Sequence, residues 1–148
     1  MTRPIYETQE NLSNEDRVAQ TIARWSGVEI IKLGPKYSFD RALIQKGEIT
    51  GFMEIKCRTN PSTQYPDYLI SAHKMFHALL WKDLLGMNVF LAVQWTDRLG
   101  YHEIDPKNDY PCRLAGRTDR DDTQDLEPCL FIPIAWFKTV TTNPTTQG

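Results

Sequence analysis

The sequence contains no apolar run approaching the ~18–20 residues that a membrane-spanning helix needs, so no membrane partner is expected. Its first ten residues, M-T-R-P-I-Y-E-T-Q-E, lack the apolar stretch of a secretory signal. Cysteine is scarce. Cys57, Cys112 and Cys129 are odd in number and far apart, and no C-x-x-C occurs. That argues against a zinc cluster or disulfide framework and for reduced thiols in an intracellular, cytoplasmic protein. No glycine-rich phosphate loop is present to support a nucleotide-handling enzyme, and there is no internal repeat. Positive charge is not in surplus either: 17 Lys and Arg stand against 19 Asp and Glu, a net charge of −2, which excludes a uniformly basic protein that coats nucleic acid.

What is present is enough for one folded domain. The chain has 148 residues, 41% of them apolar and 24% charged. Residues 1–140 read as a single domain and 141–148 as a flexible tail. The charge is uneven: residues 1–86 carry a net +1 and residues 87–148 a net −3. A local positive field around Lys32, Lys36, Arg41, Lys46, Lys56, Arg58 and Lys74 is therefore open to a polyanion.

Along the chain, Asn11 or Ser13 is placed to cap a helix running to about Trp25 and stopped by Gly27. Val18, Ile22 and Trp25 form its apolar stripe, and Glu15 falls on that same stripe, where a carboxylate needs a partner. Residues 28–33 read as a strand. Residues 59–70 read as loop. Ser71 caps a second helix over 72–85, closed by Gly86, with Met75, Phe76, Leu79, Leu80 and Leu84 on an apolar face. Residues 87–95 are nearly continuous in apolar side chains, the pattern of a central strand covered on both faces. A short strand follows at 101–104. Residues 105–128 read as a long polar surface excursion, and residues 130–140 return to the core past Pro133. The fold class is α/β: a central mixed sheet flanked by helices, with a crossover joining the third strand to the 87–95 strand.

The informative stretch is Tyr37–Arg58, Y-S-F-D-R-A-L-I-Q-K-G-E-I-T-G-F-M-E-I-K-C-R. It reads as two strands turning at Lys46-Gly47, with Asp40 on the first. Side-chain alternation puts Phe52, Glu54, Lys56 and Arg58 on one face and Met53, Ile55 and Cys57 on the other. Two carboxylates and an ammonium at this spacing suit hydrolysis of a phosphodiester. Asp40, Glu54 and the backbone carbonyl of Ile55 would hold Mg²⁺ or Mn²⁺, which prefer oxygen donors and keep several waters. Lys56 would orient or deprotonate the attacking water, or offset charge in the transition state. Glu15 would be an outer ligand or hold a metal-bound water.

These residues resemble the PD-(D/E)xK nuclease superfamily, in a compact form similar to archaeal-type Holliday junction resolvases and small bacteriophage nucleases. Glu15 on the first helix, Phe39-Asp40, Glu54-Ile55-Lys56 and the later helix carrying Lys74 carry the likeness, over roughly residues 13–95. Phe39 stands where the signature has proline. The resemblance implies a restriction-endonuclease-like core, divalent-metal-dependent cleavage of DNA (branched, phage or recombination DNA among the candidates) and a homodimer. It implies metal ligation by Asp40 and Glu54 and catalysis by Lys56. Arg58, Lys74, Lys36 and Gln64 are candidate nucleic-acid contacts, the last through a Gln64-x-x-x-Tyr68 pattern. The alternative is a non-catalytic nucleic-acid-binding or protein-interaction module that keeps the fold and uses the same charges as a salt-bridge network. His73 and His77, spaced i, i+4, lack the glutamate of a zinc-protease helix. The four tryptophans read as core, and the acidic run 119–127 as a solvated loop.

Overall fold

The structure, a computed structural model, describes residues 9–34, 37, 39–116 and 126–140. The tail, most of the acidic run and Lys36 lie outside the described residues. In chain order the elements are α1 (Gln9–Ser26), β1 (Glu29–Lys32), β2 (Arg41–Gln45), β3 (Glu48–Cys57), β4 (Asp67–Ser71), α2 (Ala72–Leu85), β5 (Asn88–Gln94), β6 (Leu99–Glu103), β7 (Cys112–Gly116), β8 (Leu126–Pro133), a 3-10 turn at Ile134–Trp136 and β9 (Lys138–Thr139).

Six strands form the main sheet in the order β1-β2-β3-β5-β6-β9, and three form a second sheet, β4-β8-β7. Among the described strands only β3 and β5 run parallel, joined by the segment that contains α2. This is the expected crossover. Parallel strands at the centre of a sheet are covered on both faces, which is why β5 reads as an unbroken apolar run. Val93 and Ala92 on β5 and Ile55 on β3 are fully buried.

The two faces of the main sheet make separate cores. α1 lays Val18, Ala19 and Ile22 on Leu43, Met53, Ile55 and Ala92. The opposite face carries Phe39, Ala42, Phe52, Val89, Leu91 and Val93 under Met75 and Ala78 of α2 and under Tyr68 and Ile132 of the second sheet. Gly51 permits the closeness of β3 to β5, since a Cβ there would lie 2.6 Å from the Asn88 carbonyl oxygen.

Several sequence expectations need correction. The chain is already helical at Gln9, so Asn11 and Ser13 lie inside α1 instead of capping it. The helix does end at Gly27, whose φ of 76° is left-handed and whose N–H donates to Ala23 at 2.8 Å. The 59–70 segment is not all loop, because residues 67–70 belong to β4. The 105–128 excursion contains β7 and the start of β8. The partner of β4 is far away in sequence, as Asp67↔Pro133 shows, and β7 pairs with β8 across the polar stretch, so neither strand announces itself locally. Trp25 and Trp136 are exposed rather than core. Trp25 rests against the Tyr101 ring at 5.5 Å, and Trp136 stacks on His102 at 5.9 Å. On α2 the apolar face divides: Met75 and Ala78 are buried, while Phe76, Leu80 and Leu84 face outward.

Candidate functional site

β2 and β3 are joined by a tight turn in which Lys46 (φ 52°) and Gly47 (φ 81°) are both left-handed. Two such residues match a hairpin turn to the twist of its strands. The turn pairs Gln45 with Glu48 and Ile44 with Ile49, and a bulge between Leu43 and Ile44 then shifts the register by one residue, so that Ala42 pairs with Phe52 and Arg41 with Met53. Asp40 immediately precedes β2 and does not lie within it. It lies one step beyond the Arg41–Met53 pair. Its carbonyl accepts the Leu33 amide at 2.7 Å, which ties it to the end of β1.

β3 runs on past this point with β5 as its remaining neighbour. Arg58 donates its amide to the Gln94 carbonyl at 2.8 Å. Backbone groups alternate sides along a strand. Even-numbered residues here therefore address β5, and Ile55 turns its amide and carbonyl toward the β2 side, beyond the last β2–β3 pair. Asp40, Glu54 and Ile55 thus lie at one end of the sheet.

Glu54 is 5% exposed. Its Oε2 lies 3.3 Å from the Lys56 ammonium and its Oε1 3.5 Å from the Lys74 ammonium, which reaches down from the first turn of α2. Lys74 also lies over the Phe39 ring, 5.6 Å from its centroid. Burial by itself would lower the Lys56 pKa. The Glu54 carboxylate, its hydrogen bond and the nearby charges of Asp40 and Tyr68 outweigh that and raise it above the usual lysine value. The site therefore holds two carboxylates and two ammonium groups within a nearly neutral cluster.

Tyr68 on β4 closes the site from the second sheet. It is a residue of this region that the loop reading of 59–70 concealed, although the Gln64-x-x-x-Tyr68 spacing had touched it. Its hydroxyl accepts from the Arg58 guanidinium at 2.6 Å, and that guanidinium lies over the ring at 5.2 Å. Burial raises the Tyr68 pKa against the opposing charges of Arg58 and Lys56. The loop after β3 is pinned by Asp97, which accepts the Ser62 amide at 2.8 Å and the Ser62 hydroxyl at 2.9 Å. The amide bond is the chief reason the Asp97 pKa lies below the usual carboxylate value. Gln64 is exposed on this loop and bonds the Tyr65 hydroxyl at 3.1 Å.

Glu15 comes to the same end of the sheet from the other face. Its carboxylate is 4.0 Å from the Arg41 guanidinium, and Asp16 lies 3.3 Å from that same group. Arg41, which reads as a surface cation in sequence, is 3% exposed and leaves its Nε without a hydrogen-bond partner. The partner that Glu15 requires is thus the residue next to Asp40.

The donor set fits a hard divalent ion. Among the described residues no three of His, Cys, Asp and Glu cluster to hold a metal. Asp40 and Glu54 offer the one or two carboxylates with which a hard divalent ion, keeping its waters, is commonly held. His73 and His77 lie with ring centroids 4.7 Å apart on α2 and have no third ligand among the described residues.

A family model described as "Phage putative PDDEXK endonuclease" matches residues 1–140. No curated protein matches the sequence. Among solved structures, the chain is similar to the Holliday junction resolvase Hjc of the archaeal hyperthermophile Archaeoglobus fulgidus. The TM-score is 0.56 at 12% identity, covering 86% of this chain and 90% of that one. It is also similar to a nuclease from a fusselovirus, with a TM-score of 0.52 at 17% identity over 95% of this chain and 92% of that one. At these identities the likeness establishes the fold, the restriction-endonuclease-like core that the family resemblance implies.

Proposed function

This chain belongs to the phage PDDEXK endonuclease family, and from that premise we propose that it is a metal-dependent DNA nuclease whose centre is Asp40, Glu54 and Lys56. The observation that supports the reading is that Lys56 lies 3.3 Å from the Glu54 carboxylate, with Asp40 one step beyond the Arg41–Met53 pair that precedes them. Asp40, Glu54 and the Ile55 carbonyl would hold Mg²⁺ or Mn²⁺. When bound, such an ion supplies Lewis acidity and lowers the pKa of water.

The chain's own groups do the rest. Glu54, recessed and fixed by two ammoniums, is a rigid oxygen donor. Lys56 is more exposed than the carboxylate it touches, so its ammonium can reach a phosphodiester oxygen and offset charge in the transition state. Arg58, carried on Tyr68, and Gln64 on the pinned loop line the approach for backbone phosphates. Lys36 is a further candidate contact. Glu15 acts through Arg41, holding the residue beside Asp40. Branched DNA is the favoured substrate class, because the resolvase shares the fold along nearly its whole length.

A homodimer suits cleavage of two strands. Phe76, Leu80 and Leu84 are exposed at spacing i, i+4, i+8 on α2. Antiparallel packing about Leu80 would set Phe76 against the partner subunit's Leu84 and His77 against the partner subunit's Asp83, a self-complementary arrangement. No described helix is long and apolar enough to cross a membrane, and a phage family is consistent with work inside the cell.

The test is cleavage of a four-way junction and of linear duplex with Mg²⁺, Mn²⁺ or chelator. Asp40→Ala and Glu54→Ala should each lower the rate by about 10²–10³-fold or more, with circular dichroism unchanged. Cleavage at the wild-type rate in either variant would refute the assignment.

A further inference from the structure

Glu54 has two cationic partners, of which only Lys56 has been given a part in the chemistry. Lys74 comes from a different element, at the start of α2, where positive charge is disfavoured by the helix dipole. It nevertheless sits 3.5 Å from Oε1 of a carboxylate that is almost inaccessible to water. A buried carboxylate is costly to keep ionised without compensation. With Lys56 alone, Asp40, Glu54 and one ammonium sum to −1; with Lys74 the sum is zero.

We propose that Lys74 is a positioning residue that occupies the Oε1 side of Glu54 as a built-in counter-cation and competes with the divalent ion for that carboxylate. Its effect has two signs. Without an ion, Lys74 holds Glu54 in the rotamer the site needs through its contact at Oε1. With the ion in place, the same ammonium adds to a positive cluster that favours a phosphodiester anion. Lys74 thus weakens metal binding by the free protein and strengthens binding of the nucleic acid. This rests on the assignment of Asp40 and Glu54 as metal ligands.

The bland alternative is structural, since the Lys74 ammonium also contacts the Phe39 ring. The two separate cleanly. Metal-stripped full-length protein is titrated with Mn²⁺ by calorimetry in the absence of DNA, and KM and kcat are then measured on a four-way junction. Lys74→Met should bind Mn²⁺ about three- to tenfold more tightly than wild type, as removal of one nearby unit charge implies, while its KM for DNA rises by a similar factor. Lys74→Arg should restore both values. Lys74→Gln, which keeps the stem and a donor, serves if the methionine variant does not fold. A purely structural lysine predicts a lower Tm with unchanged Mn²⁺ affinity, and that result, or weaker Mn²⁺ binding in a folded Lys74→Met or Lys74→Gln, overturns the proposal. Glu54→Ala is the control. If it binds Mn²⁺ as wild type does, or wild type binds none, the ligand assignment itself fails and the role of Lys74 with it.

Discussion

The Lys56 ammonium lies 3.3 Å from Oε2 of Glu54, its neighbour two positions back on the same strand face. That short link makes the lysine and the carboxylate one unit, and the first prediction separates their roles. Lys56→Met should lower kcat by about 10²–10³-fold, the scale for loss of one preorganised transition-state contact. Mn²⁺ binding should survive, because the oxygen donors remain. Loss of metal binding together with activity would place Lys56 among the groups that assemble the site, not among those that act in it.

Arg41 should matter for stability more than its appearance in the sequence implies. Its guanidinium is buried between the carboxylates of Glu15 and Asp16, with Asp16 largely in water. Arg41→Ala should cost about 1–3 kcal/mol, below the usual figure for breaking a buried pair because the partners stay partly solvated. Arg41→Met, which fills the space and carries no charge, should cost less. Urea unfolding with equal m-values measures both. A methionine variant less stable than the alanine variant would contradict this account.

His102 gives a pH signature away from the active site. It is buried against the Tyr110 hydroxyl, which lies 2.8 Å from Nε2, and under Trp136. Burial lowers its pKa, only partly opposed by a hydrogen bond to the Trp136 backbone and the charges of Glu103 and Asp105. The folded state resists protonation that the unfolded chain accepts near pH ~6.5. Stability from this residue is therefore complete above that pH and is lost as pH falls through the depressed folded value. Tm should drop from pH 7.5 to pH 5 more steeply in wild type than in His102→Gln. Parallel slopes would remove His102 as the cause.

The exposed stripe on α2 leads to a prediction about assembly. Leu84→Glu would bury a carboxylate against the partner subunit's Phe76, a contact that offers it no partner. Light scattering should report a dimer for wild type and a monomer for the variant, with both retaining native circular dichroism. A monomeric wild type at micromolar concentration, or a dimer that Leu84→Glu leaves intact, would direct the search to another face.

The legible parts of the fold are those whose signals are local. Ser71 accepts the His73 amide and Gly86 adopts a left-handed φ, so α2 can be read to the residue from its ends. The Lys46-Gly47 turn and the unbroken apolar run of β5 are equally plain. β4 and β7 were hidden because their hydrogen bonds go to β8, after the polar stretch, and because Pro66 breaks the local pattern just before β4. Within the site, strand alternation alone placed Glu54 beside Lys56. The approach of Lys74 to Glu54 depends on how α2 packs, and the burial of Arg41 depends on α1 covering it. No spacing within one segment encodes either contact.

β3 overhangs β2. The β2 ladder stops at Met53, and residues 54–57 continue with β5 as their paired neighbour. β5 lies more than thirty positions further along the chain, beyond β4 and α2. A nascent chain that has formed only its first hairpin already contains Asp40, Glu54 and Lys56, yet it has no β5 to straighten the strand end that carries them. Non-local pairing of this kind is the slow part of folding. The strand end that carries Glu54 and Lys56 therefore gains its ladder partner only when the crossover closes, whatever the first hairpin has already formed.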